Sequence, residues 1–60
     1  MKFKAWLVEN GISQKDLAEF LGITVVAVNR KLNGGEEFTI KQIRAICEKY
    51  HISADEFFIR

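Results

Sequence analysis

The sequence has no proline, a single cysteine at position 47, and a net charge of only +1 once 9 basic and 8 acidic side chains are set against each other. Each scarcity excludes something. With no proline, no internal repeat and no low-complexity tract, nothing divides the chain into separate pieces. Cys47 alone rules out an intrachain disulfide and fits a reducing compartment. A sequence pI near 7.9 lacks the strongly basic balance of many nucleic-acid binders. No apolar run approaches the roughly 20 residues of a membrane span, and no signal-peptide pattern follows Met1. The expected location is therefore cytoplasmic, with no membrane partner. Chemistry-bearing sets are missing too: no Ser-His-Asp constellation, no phosphate loop and no zinc motif. His51 has no Cys or His at ligand spacing. Glu36 and Glu37 are loop neighbours without a visible scaffold for acid–base work. The expectation is a protein that is not an enzyme and holds no metal or cofactor.

What the chain does have is core-forming material. Of its 60 residues, 48% are hydrophobic, including five Phe, one Trp and one Tyr, and 28% are charged. A chain this short buries only about 60% of its unfolded surface, so one small domain over residues 1–60 is expected, with an efficient core. Its composition argues against disorder.

Helical spacing recurs along the whole length. Phe3, Trp6 and Leu7 take the i, i+3, i+4 places of a short amphipathic helix that Asn10 and Gly11 close. Ser13 and Asp16 resemble a capping box with a shortened acid, and Ile12 can staple onto Leu17 from outside the cap. Leu17, Ala18 and Leu21 follow at helical spacing. Gly22 stands where a helix closes in the left-handed region, and Thr24 caps the next helix, expected over residues 25–32 before Asn33, Gly34 and Gly35 end it. Ala18 supplies the small side chain that two steeply crossing helices need at closest approach. After the break, Thr39 caps a helix whose apolar stripe is Ile40, Ile43, Ile46, Cys47 and Tyr50. Ser53 and Glu56 have the spacing of a full capping box for a last turn over residues 54–58. No stretch shows the period-two alternation of a half-buried strand. The fold class is all-α, with five helices.

Gln14, Ala18, Gly22, Val28 and the Leu32-Asn33-Gly34 exit stand at the spacing of the helix-turn-helix in the phage Cro and repressor family. The Phe38-Thr39-Ile40, Ile46-Cys47 and 52–58 stretches also resemble small phage-type regulators, so the likeness covers essentially the whole chain. It implies a compact five-helix, lambda-repressor-like domain with its helix-turn-helix over about 14–34. Helix 25–32 would lie in the DNA major groove while the preceding helix crosses the backbone. Gln14 is similar to the family's phosphate-contacting glutamine, at a helix start where free amides and the helix dipole favour an anion. A bacterial-type cell and association with its nucleoid follow from the same likeness.

On that helix, Val25, Val26, Asn29 and Arg30 are the candidate base readers, while Val28 and Leu32 point into the core. Arg30 can donate two bonds to guanine O6 and N7, worth roughly 1–3 kcal/mol of discrimination. Valines offer only apolar contact to thymine methyls, where family members often carry polar readers. Val25 is open between groove and core, because Val25, Val28 and Leu32 fit i, i+3, i+7. Val26 is expected to be the more exposed of the two. Gln14, Lys15, Thr24, Lys31, Asn33 and Lys41 are the candidate phosphate contacts. Two functions stay open. One is an operator-binding regulator of the Cro or short-repressor type, acting on double-stranded DNA as a homodimer. The other is a module that keeps the fold but docks a regulatory protein, as an anti-repressor would. Phe57, Phe58 and Ile59 crowd too much apolar volume at the chain end to be buried together, which suggests a surface for self-association.

Overall fold

A computed structural model describes residues 1–58. Five α-helices follow in order: α1 (Lys2–Glu9), α2 (Gln14–Leu21), α3 (Val25–Leu32), α4 (Ile40–Tyr50) and α5 (Ala54–Phe57). There is no strand among the described residues. The helices pack into a body of 25 × 23 × 19 Å, with α2 directly against α3 and α4 against α5.

Local chemistry sets the boundaries. Ser13 Oγ accepts from the Asp16 amide, Thr24 Oγ1 from the Ala27 amide and Thr39 Oγ1 from the Gln42 amide. Each bond satisfies one of the donors a helix start leaves unpaired. Gly22 ends α2 at φ 72°, a left-handed conformation costly for any residue with a Cβ. Its neighbour Ile23 returns its amide to the Ala18 carbonyl at 3.1 Å. The full reciprocal capping box belongs to Thr39 and Gln42, whose side-chain oxygen accepts from the Thr39 amide at 2.9 Å. Ser53, expected to form such a box with Glu56, makes no side-chain cap bond. The three working caps have ψ of 156°, 158° and 160°, whereas Ser53, also extended, has 131° and leads into a helix of only four residues.

The core is Phe3, Leu7, Leu17, Ala18, Val28, Leu32, Phe38 and Ile46. Fully burying a side chain of the Val, Leu, Ile or Phe type is worth about 1.5–3 kcal/mol. Ala18, 3% exposed on the α2 face toward α3, lets the two backbones close up. Phe3 is the hub of an aromatic cluster: its ring centroid lies 5.9 Å from Trp6, 6.1 Å from Phe38, 6.2 Å from Phe57 and 5.0 Å from Phe58. Phe57 and Phe58 are thus both half-buried in one cluster that accommodates the two together. Ile59, the third residue of that apolar run, lies outside the described residues.

One apolar expectation fails. Ile40, placed on the inward stripe of α4, is 78% exposed. At 100° per residue it sits roughly 120° round the helix from the fully buried Ile46, at the stripe's outer edge. With Ile43, Arg44, Cys47, Glu48 and Ala54 it lines an open apolar groove. Burial raises the Cys47 thiol above its ordinary pKa, so little thiolate is present at neutral pH.

Candidate nucleic-acid interface

The face that α3 turns away from the core follows from helical phase. Val28 and Leu32 are fully buried and Lys31 is 6% exposed, so Val26, Asn29, Arg30 and Asn33 occupy the opposite side. Val25, about 20° round the helix from Leu32, falls on the core side by phase and is nonetheless 45% exposed; Val26, near the centre of the outward side, is 67% exposed. Val25 is thus a surface residue despite a phase it nearly shares with the buried Leu32.

Polar side chains tie this face to its neighbours in a continuous run. Lys4 Nζ on α1 donates to Asn33 Oδ1 at 2.7 Å. Asn33 Nδ2 donates to Asn29 Oδ1 at 3.0 Å, and Asn29 Nδ2 donates to Gln14 Oε1 at 3.2 Å. Three helical residues and the α3 cap residue Asn33 are joined, ending at the first residue of α2. Gln14 and Asn29 thus touch each other directly, and Asn33 stands between Asn29 and Lys4. Lys4 is half-buried on α1. Its partner is 29 residues away, and no spacing rule reaches that far.

Lys31 departs most from expectation. Its Nζ lies 3.1 Å from Glu36 Oε2 and 3.0 Å from the Glu37 carbonyl, and 5.7 Å from the centroid of the Phe38 ring. An ammonium so enclosed is a structural tie between α3 and the following loop, and it is not presented to a phosphate. Glu36 also reaches toward Arg30, with Oε1 3.8 Å from Nη1, although both side chains are half-exposed or more. Gly35 makes room for this arrangement: a Cβ there would stand 3.0 Å from Arg30 Cγ. The Arg30 stem therefore lies along the glycine loop.

The remaining candidates sit as follows. Lys15 is exposed in the first turn of α2, one residue past Gln14. Thr24 is exposed, and its oxygen is engaged in the cap. Lys41 is exposed in the first turn of α4. Among the described residues no group of His, Cys, Asp or Glu could hold a metal ion. No described helix is long and apolar enough to cross a membrane.

Two short helices joined through Gly22 and Thr24, packed on three supporting helices, define a helix-turn-helix domain. The chain belongs to the Cro/C1-type helix-turn-helix family, a family of DNA-binding transcription regulators; the family's helix-turn-helix model matches residues 3–57. No curated protein and no solved structure matches the chain.

Proposed function

We propose that this domain is a sequence-specific transcription regulator of the Cro or short-repressor type, which occupies an operator by laying α3 in the major groove. The observation that carries this reading is the outward face of α3, where Val25, Val26 and Arg30 are exposed at the end of a turn held by Gly22 and Thr24. Arg30 reads guanine through its two-pronged guanidinium, and the valines touch thymine methyls. Asn29, bonded on both sides, serves the face chiefly as a strut. Gln14, Lys15 and Lys41 contact phosphates, and the exposed hydroxyl of Thr24 supports them. With few basic contacts a single copy binds weakly. Two copies on a two-fold site, their α3 helices about 34–36 Å apart, give the operator affinity. The cytoplasm and nucleoid of a bacterial-type cell are its setting.

A second reading, a module that docks a regulatory protein through the same face, is favoured by the pair of exposed valines and by a carboxylate set beside Arg30. A fluorescence titration against a random duplex pool at low salt separates the two. Binding that weakens as salt rises, with a log–log slope of about −0.9 per phosphate neutralised, supports the DNA reading. No binding at low salt favours the protein partner.

A further inference from the structure

We propose that Lys4 is a positioning residue that sets the direction of the Lys4–Asn33–Asn29–Gln14 hydrogen-bond chain, so that the Gln14 side chain presents its amide N–H group outward as a phosphate donor. The inference deepens the DNA-binding reading and rests on it for the identity of the acceptor.

Its basis is the donor and acceptor inventory of the four side chains. A carboxamide can turn over, exchanging its oxygen for its nitrogen, so a row of three amides has no inherent polarity. A lysine ammonium has three donors and no acceptor. Placed at one end, 2.7 Å from Asn33, it requires an oxygen there. Asn33 must then offer Nδ2 to Asn29, which it does at 3.0 Å, and Asn29 must offer Nδ2 to Gln14, which it does at 3.2 Å. Each amide is oriented by the one before it. At the far end the Gln14 oxygen is used and its Nε2 group is left to donate.

The location gives that direction its consequence. Gln14 is the first residue of α2, immediately after the Ser13 cap, where unpaired backbone amides and the positive end of the helix dipole already favour an anion. A phosphate oxygen only accepts hydrogen bonds. An inverted chain would aim the Gln14 oxygen at the phosphate and repel it. Lys4 itself sits beside the C-terminal end of α3, where a cation is favoured by that helix's dipole.

The test combines two measurements on Lys4→Met, which keeps the aliphatic stem and removes the donors, with Lys4→Arg as the conservative control. In the free protein, NMR of the side-chain amides is expected to show the Asn29 and Gln14 signals moving in Lys4→Met and returning in Lys4→Arg. On duplex DNA, Lys4→Met is expected to weaken binding roughly fivefold, the size of one hydrogen bond. That loss should disappear in a Gln14→Ala background, because the two residues act through one contact. A direct phosphate contact by Lys4 would instead persist in that background and flatten the salt slope by about 0.9, which overturns the proposal. Unmoved Asn29 and Gln14 amide signals overturn it without reference to DNA. If the wild-type protein binds no duplex at low salt, the DNA reading fails and the phosphate-donor role fails with it. The amide signals would still decide the direction of the chain.

Discussion

The Lys31 ammonium and the Glu36 carboxylate meet at 3.1 Å on the inner side of the loop that follows α3, and the other oxygen of the same carboxylate stands 3.8 Å from Arg30. One acid thus serves two neighbouring cations with opposite exposures. Toward Lys31 it closes the protein; toward Arg30 it competes with whatever Arg30 is meant to bind.

Lys31→Met is therefore expected to act on stability. It removes the donor held by Glu36 and by the Glu37 carbonyl, at a site where the lysine is 6% exposed. A loss of about 1 kcal/mol, the net size of one hydrogen bond, follows, because the half-exposed Glu36 carboxylate can turn to water. Urea denaturation measures it. The salt slope of DNA binding should stay unchanged, because no phosphate contact is lost.

Glu36→Gln acts in the other direction on binding. The exposed Arg30–Glu36 pair is weak, as solvent-screened pairs at such distances are. Removing its negative charge frees Arg30 and reduces repulsion of the phosphate backbone. Affinity for duplex DNA should rise roughly three- to tenfold at low salt, with the gain shrinking as salt screens it. An unchanged affinity would mean that Arg30 does not approach DNA.

Thymine-methyl contact by Val26 can be isolated chemically. Replacing thymines of a selected site one at a time by deoxyuridine removes only the methyl group. A loss of about 0.8 kcal/mol, the value of one buried methylene-sized group, is expected for the wild type at the contacted base. Val26→Ala should show little further loss at that base. Equal losses in both proteins would assign the methyl to another side chain.

His51 offers a stability gain. It ends α4 at φ 55°, the one non-glycine residue with positive φ among those described. A side chain there costs on the order of 1 kcal/mol, so His51→Gly is expected to raise the urea midpoint. Thr24→Ala, which deletes the cap of α3, should lower the stability by about 1 kcal/mol.

The sequence made some of this structure legible and hid the rest for physical reasons. Ser13, Gly22, Thr24 and Thr39 act within three or four residues, so their roles could be read from spacing alone, and the order of helices followed. Ile40 misled because it lies at the edge of a stripe, where a fraction of a turn separates buried from exposed. Ser53 has the right spacing for a cap and an extended backbone, yet makes no side-chain cap bond to a helix of only four residues. The burial of Lys31 depends on how the chain turns at Gly34 and Gly35 to bring Glu36 and Glu37 back. The Lys4–Asn33 bond spans 29 residues and is created by the fold itself. Val25 has nearly the phase of the buried Leu32 and is still 45% exposed, which spacing alone does not show.

Site selection from a random duplex library, run in parallel with wild-type protein and Arg30→Ala, tests the central claim that the outward face of α3 reads DNA. The wild type should enrich a motif containing a guanine beside thymines, and Arg30→Ala should lose the preference at that guanine while retaining weak binding. An unenriched wild-type pool, or the same motif from both proteins, would contradict the account.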